Sequence, residues 1–290
     1  MPTIRQALRT ATSRLDNARI DAPANTARVL LGRVIGRDKP WLAAHDDEPL
    51  DAAQSAAFDA LLARVEAHEP LFYVLGQREF FGLTFVIDKR VLIPRPETEM
   101  LVEFALDTLA KHVRHPAAAA DLFDVGCGSG AIPIAVAATR SDAHALASDV
   151  STDALAVAQL NASRLGVADR VRFAQSDLLA ALPGLPTVLT ANLPYVTREE
   201  IDGLAPEIQD HEPRVALDGG PDGLDLVREL LRQIAGRATP DGPLRAAFFE
   251  IGASQGAAAL AAARDALPSV AAALHRDLGR RDRVLALRWG

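Results

Sequence analysis

Between Asp121 and Thr139 the chain passes from a short apolar stretch, Asp121–Val125, through Gly126-Cys127-Gly128-Ser129-Gly130 into a helical pattern at Ile132–Thr139. A strand that must turn at once into a helix, leaving backbone N–H groups free at the helix start, admits few folds. The alternation then continues. Strand His144–Val150 leads to a helix over 153–165 opened by Ser151-Thr152-Asp153, followed by strands Arg170–Gln175 and Thr187–Ala191. A helix from Leu224 to Ile234, strand Leu244–Ile251, a helix over 254–266 and a closing pair, Val270–His275 with Arg283–Leu287, complete the pattern. Short apolar strands alternating with helices predict an α/β fold whose mostly parallel sheet is covered on both faces.

Upstream the pattern is different. Ile4, Leu8, Ala11 and Leu15 recur at helical spacing, as do Ala27, Leu30, Leu31 and Val34, and Phe58, Leu61, Leu62 and Val65. Breakers separate them at Asp21-Ala22-Pro23, from Gly36 to Pro40 and from His45 to Pro49, which predicts a small helical bundle over 1–70. Phe80–Ile87 alternates as a strand or hairpin, and Pro94 and Pro96 make a stiff segment ahead of a helix near Glu97. A surface turn is expected at Ala117–Ala120. At 290 residues, 49% hydrophobic and 24% charged, the chain has material for a sizeable core, which excludes disordered and fibrous classes. A net charge of −7 argues against coating nucleic acid through bulk charge. The single cysteine, Cys127, excludes an internal disulfide framework and a multi-thiolate zinc site, and no metal is expected. No apolar secretory segment opens the chain and no run approaches a membrane span, so a cytoplasmic protein is expected.

Glycines at a strand-to-helix turn let the backbone approach a ligand closely. Asp149, ending the next strand, is placed to accept hydrogen bonds from the two hydroxyls of a ribose. Gly126-x-Gly128-x-x-Ala131 also fits a dinucleotide pattern, with Asp149 selecting NAD. Three features lean instead to S-adenosylmethionine: the G-x-G-x-G spacing, Asp124 ahead of the loop as a partner for a ligand ammonium, and Asp177 after the third strand as an acceptor for an adenine amino group.

After the fourth strand comes Asn192-Leu193-Pro194-Tyr195, which in an open parallel sheet faces the ligand crevice. Carboxamide and adenine amino nitrogens are poor nucleophiles because their lone pairs are delocalised. A site helps by accepting both N–H hydrogens and orienting the nitrogen. Asn192 offers a side-chain carbonyl, Leu193 a backbone carbonyl, Pro194 a stiff turn and Tyr195 a flat ring.

The glycine loop with this tetrapeptide resembles the class I S-adenosylmethionine-dependent amino-methyltransferases. Glu69–Gly76, Glu79–Leu83, Val91–Glu99, Glu207–Gly220 and Phe249–Gly252 narrow the resemblance to the release factor glutamine N5-methyltransferases, over essentially the whole chain. It implies a Rossmann-like seven-stranded methyltransferase domain at 97–290, a linker with a β-hairpin at 71–96 and a helical substrate-recognition domain at 1–70. It implies methyl transfer from S-adenosylmethionine to the glutamine of the Gly-Gly-Gln motif of class 1 peptide chain release factors, by a monomer, with no membrane or nucleic acid involved. Carried over, Gly126, Cys127, Gly128, Ser129 and Gly130 hold the methionine end of the cofactor and Asp149 its ribose. Asp177 and Leu178 flank the adenine, and Asn192 also contacts the cofactor. Asn192, Leu193, Pro194 and Tyr195 hold the substrate amide, with Asn192 and Tyr195 catalytic.

The family usually carries Asn-Pro-Pro-Tyr. Leu193 makes the motif Asn-Leu-Pro-Tyr, which is familiar from rRNA adenine dimethyltransferases, so N6-adenine methylation of DNA or rRNA is an alternative, as is methylation of a ribosomal-protein glutamine. A redox nucleotide-binding module is a third reading. Other groups read blandly: His112 and His115 as solvated helix-end residues, Cys127 as a small filler, and Arg280-Arg281-Asp282-Arg283 as a solvated hairpin tip. Glu97 and Glu250 either shape the site or cap helices.

Overall fold

Thr3 caps the first helix, α1 (Ile4–Asn17), by accepting from the Gln6 N–H, while the Gln6 side chain accepts from the Thr3 N–H. Two orphaned donors are satisfied reciprocally, and Asp51 with Gln54 repeats the device at α4 (Ala52–Glu66). Between them lie α2 (Pro23–Ile35) and α3 (Lys39–Ala44). The expected breaker from Gly36 to Pro40 does separate α2 from α3, but Pro40 itself lies inside α3. It occupies the first turn, where its missing N–H leaves no bond unmade, and Asp38 caps that turn by accepting from the Trp41 N–H at 2.9 Å. The short α5 (Leu71–Leu75) follows α4, so the helical unit runs past residue 70: it spans Met1–Gln77 and takes in Ala205–His211. Its core is Ile4, Leu15, Leu30, Leu31, Leu42, Phe58 and Leu62, and Arg14 ties α1 to α4 through a two-pronged pair with Glu66 at 2.6 and 2.7 Å.

The computed structural model describes residues 1–112, 118 and 120–290. His115 and the turn expected at Ala117–Ala120 involve residues outside that description.

The second unit comprises Arg78–Leu204 and Glu212–Gly290. It opens with the hairpin of β1 (Gln77–Phe80) and β2 (Leu83–Val86). One tight turn at Pro96–Thr98 then leads into α6 (Glu99–Lys111), two residues beyond the start expected at Glu97. The main sheet contains β3 (Leu122–Val125), β4 (Ala145–Asp149), β5 (Val171–Gln175), β6 (Val188–Ala191), β7 (Ala246–Glu250), β8 (Ala271–Arg276) and β9 (Asp282–Arg288). Helices α7 (Ala131–Thr139), α8 (Thr152–Arg164), α11 (Asp225–Ala235) and α12 (Gly256–Ala266) connect them, with short turns of helix α9 (Arg198–Ile201) and α10 (Pro206–Gln209) in the long β6–α11 connection. The strand order is β5-β4-β3-β6-β7-β9-β8. The first five strands are parallel, and β9 runs antiparallel to both β7 and β8. This is the expected α/β architecture. Strands β3, β6 and β7 are buried along their whole length, which is why they read as mostly apolar, with Asp124, Thr190 and Glu250 the buried exceptions.

The chain reverses its direction of strand addition between β3 and β6, the place where open α/β sheets bind ligands. The register makes the consequence specific. Val125 pairs with Ser148 on one side and Ala191 on the other, and Ala191 pairs with Phe249. The next residue on each strand therefore falls in one row across the carboxyl ends: Asp149, Gly126, Asn192 and Glu250.

Candidate active site

A cleft of about 570 Å³ opens above this row, lined wholly by residues of the second unit. Its floor is the glycine loop. Gly126 has φ +74°, which favours glycine, and a Cβ there would lie 3.0 Å from Leu193 Cδ2, so the loop packs closely on the turn after β6. Gly128, by contrast, faces open space on its Cβ side. Gly130 lies outside the lining and starts α7, packed on Ile134 and Ala158. Cys127 and Ser129 line the cleft. Burial pushes the Cys127 thiol up, away from the reactive thiolate form. Buried Asn161 on α8 donates to the Ser129 carbonyl at 3.0 Å and to the Val86 carbonyl at 2.9 Å, and accepts from the Val86 N–H at 2.8 Å. It thereby pins the loop to the hairpin. Nothing in the sequence pattern marked Asn161.

Asp149 lines the cleft and accepts from the Gly128 N–H and the Ser151 N–H, both at 2.9 Å. Burial raises its pKa against the pull of those bonds. Val150 beside it is a large apolar side chain left 54% exposed at the cleft wall, an uncovered flat face next to a carboxylate. Asp177 and Leu178 line the same side, with Leu178 in the left-handed region at φ +50°. Asp124 lies behind the loop instead. It is 1% exposed, accepts from Thr190 Oγ1 at 2.7 Å, and its second oxygen has no hydrogen-bond partner. Burial raises its pKa to about 7.

On the opposite wall stand Asn192, Leu193 and Pro194. Tyr195 lies outside the lining, and its hydroxyl donates to Glu250 Oε1 at 3.2 Å. Burial, then the nearby Glu250 charge, push the Tyr195 phenol up. The turn is clamped from behind. Val196 N–H donates to the Leu217 carbonyl and Gly219 N–H to the Val196 carbonyl, at 3.0 and 2.9 Å. Gln255 donates to the Tyr195 carbonyl at 2.7 Å and to the Asp222 carbonyl at 3.1 Å. A side chain at Gly223 would run into that same Tyr195 carbonyl and the Gln255 amide.

Thr98, buried at the start of α6, reaches the cleft and joins Asn192 to Glu250. Its segment, Val91–Glu99, carries the family resemblance, but no local pattern marks Thr98 itself. Of the two acids left open there, Glu250 belongs to this site. Between β8 and β9, the expected solvated hairpin tip holds for Arg280 and Arg281 but not for Arg283. Its side chain is 13% exposed and pairs with Asp277 at 3.3 Å. Among the described residues, no group of three His, Cys, Asp or Glu is arranged to hold a metal, and no helix is long and apolar enough to cross a membrane.

Comparison with known proteins agrees with this geometry. Residues 6–76 match the PrmC N-terminal domain family and residues 100–208 the methyltransferase small domain family. The chain is 39% identical over 282 residues to the release factor glutamine methyltransferase of Cereibacter sphaeroides, covering 97% of each chain. It is 42% identical over 257 residues to that of Moorella thermoacetica, covering 88% of each. The Caulobacter vibrioides relative is 36% identical over 284 residues, 98% of this chain and 95% of the relative. Among solved structures, the human Mettl16 catalytic domain in complex with a 3′UTR hairpin superposes with a TM-score of 0.58 at 19% identity, covering 78% of this chain and 82% of that one. The human methyltransferase 10 domain containing protein does so at 0.51 and 18%, covering 80% and 98%. At such identities these two show the fold alone. The full-length relatives decide the family: this chain belongs to the release factor glutamine methyltransferases.

Proposed function

We propose that the protein transfers a methyl group from S-adenosylmethionine to the side-chain amide nitrogen of the glutamine in the Gly-Gly-Gln motif of class 1 release factors. One observation carries this reading. Asn192 and Leu193 stand on the cleft wall opposite Asp149, and neither the Asn192 side-chain carbonyl nor the Leu193 backbone carbonyl accepts a hydrogen bond from the described residues. Two free acceptors match the two hydrogens of a primary amide.

The residues present fit the cofactor. The open space at Gly128 admits its methionine portion beside the glycine loop, the Asp149 carboxylate suits vicinal ribose hydroxyls, and Val150 with Leu178 offers apolar surface to a base, beside Asp177. When bound, S-adenosylmethionine supplies an electrophilic methyl group on a sulfonium that is its own leaving group. The chain therefore needs no strong base: the nitrogen becomes acidic as the N–CH3 bond forms and the S–CH3 bond breaks, and it then releases one of its two protons to water. Asn192 and Leu193 accept the two amide hydrogens and hold the nitrogen lone pair towards the methyl donor, and the clamp through Gly219, Gly223 and Gln255 keeps that pair of acceptors in place. Pro194 stiffens the turn, and Tyr195 steadies it through Glu250. The helical unit, matched by the PrmC N-terminal domain family, is assigned to gripping the release factor. A substrate that works on the ribosome places the reaction in the cytoplasm.

An adenine amino group presents the same two hydrogens, and a ribosomal-protein glutamine the same amide. Purified protein with labelled S-adenosylmethionine is therefore offered a release factor, ribosomal proteins, rRNA and DNA in turn. Label on the release factor alone is expected. Label on rRNA, DNA or a ribosomal protein in its place overturns the assignment.

A further inference from the structure

We propose that Glu250, acting through Thr98, fixes which way round the Asn192 carboxamide sits, so that its carbonyl and not its NH2 faces the incoming substrate amide. This rests on the reaction assigned above and adds two positioning residues to it.

The donors at Glu250, Thr98 and Asn192 can be counted. Glu250 is 1% exposed and follows Phe249, whose register partner is Ala191, so it stands one strand from Asn192 in the row above the sheet. Thr98 Oγ1 donates to Glu250 Oε2 at 2.6 Å, and the Tyr195 hydroxyl donates to the other oxygen at 3.2 Å. A carboxylate only accepts, and a threonine hydroxyl has one proton. With that proton given to Glu250, Thr98 has only lone pairs to offer Asn192. The Asn192 Nδ2 accordingly donates to Thr98 Oγ1 at 3.0 Å, which sends the carboxamide oxygen the other way. Turned over, Asn192 would present N–H to N–H, and the substrate nitrogen would lose an acceptor and gain a repulsion. Burial raises the Glu250 pKa and the charge of Glu97 adds to this, while the two hydroxyl bonds and the Arg283 guanidinium oppose it and favour the carboxylate form that the chain of donors needs.

The three residues come from the turn before α6, the end of β6 and the end of β7, so this is a device of the tertiary fold. It also gives Tyr195 a task that its place outside the cleft lining leaves open: occupying the second oxygen of Glu250 so that the first stays directed at Thr98.

The test uses the full chain and three variants: Thr98→Val, which keeps shape and loses the hydroxyl; Thr98→Ser, which keeps the hydroxyl; and Glu250→Gln, whose amide can donate to Thr98 and reverse the chain. Thr98→Val and Glu250→Gln are expected to lower kcat by ~10–100-fold, as misplacement of a reacting group does, and Thr98→Ser to recover most of it. S-adenosylhomocysteine affinity should stay within about threefold in all three, because the change concerns an amide orientation and not the cofactor cradle. A second readout needs no turnover. The Asn192 side-chain amide pair, identified as the 15N signals lost in Asn192→Ala, should shift and exchange faster in Thr98→Val and keep its position in Thr98→Ser. Full activity of both Thr98→Val and Glu250→Gln, or an Asn192 amide signal indifferent to Thr98→Val, overturns the proposal. A wild-type protein that leaves release factors unmethylated overturns the substrate reading instead, while the amide signal still judges the orientation.

Discussion

Asp124 offers a quantitative test of how the sheet carries a buried acid. Its carboxyl is 1% exposed, one oxygen takes the Thr190 hydroxyl at 2.7 Å, and the other has no partner. Burial first, and the Asp149 charge in addition, move its pKa from 3.8 to about 7. A carboxyl raised in the folded state holds its proton longer there than in the unfolded chain. Its contribution to stability is thus fully present below the unfolded value and is lost as pH rises through about 7. At about 1.36 kcal/mol per pH unit, the gap between those values amounts to about 4 kcal/mol. Asp124→Asn removes the titration and keeps an oxygen for Thr190. The variant's stability relative to wild type is expected to climb by up to about 4 kcal/mol from near pH 4 to near pH 7.5, whatever its constant offset. Trp41 lies in the helical unit and Trp289 follows β9, so urea unfolding followed by Trp289 fluorescence in a Trp41→Phe background reports the sheet unit by itself. That separation matters because two units need not unfold in one transition. A difference between Asp124→Asn and wild type that stays flat over this range refutes the reasoning.

Other outcomes follow from the cleft. Gly130→Ala forces a side chain into φ +78° with its Cβ 2.8 Å from Ile134 Cδ1 and 3.1 Å from the Ala158 Cβ, so a loss of about 1–3 kcal/mol is expected in the same unfolding assay. Gly126→Ala sets its Cβ 3.0 Å from Leu193 Cδ2, and titration calorimetry should show weaker S-adenosylhomocysteine binding as the loop gives way. Asn192→Ala removes one of the two free acceptors and is expected to lower kcat on the order of 10²–10³-fold with folding intact, measured by steady-state methylation.

Much of this was legible in the sequence, for a physical reason. Strands buried on both faces are mostly apolar, so β3, β6 and β7 announced themselves despite Asp124, Thr190 and Glu250, and the residues at their carboxyl ends were marked as cleft residues by position alone. Gly126 and Asn192 were found that way, and Asp149 as the last residue of β4. Glu250 closes the same row, yet its role depends on Thr98, 152 residues earlier, and no local pattern couples the two. Asn161 and Gln255 were hidden likewise, since each substitutes for a backbone partner supplied by a distant loop. Pro40 misled because proline's meaning depends on which residue caps the turn, and Asp38 makes it a helix start. Leu193, the departure from the usual motif, is explained by contact: it is 4% exposed and rests on Gly126, while the backbone carbonyl assigned above to the substrate amide is unaffected by the exchange.

The central claim is that the methyl group goes to one glutamine nitrogen. The most direct measurement incubates the purified protein with labelled S-adenosylmethionine and a release factor carrying either its native Gly-Gly-Gln motif or a Gln→Ala replacement there. The account predicts label on the native factor, assigned to that glutamine side chain by fragment mass, and none on the replaced one. Equal label on both would contradict it.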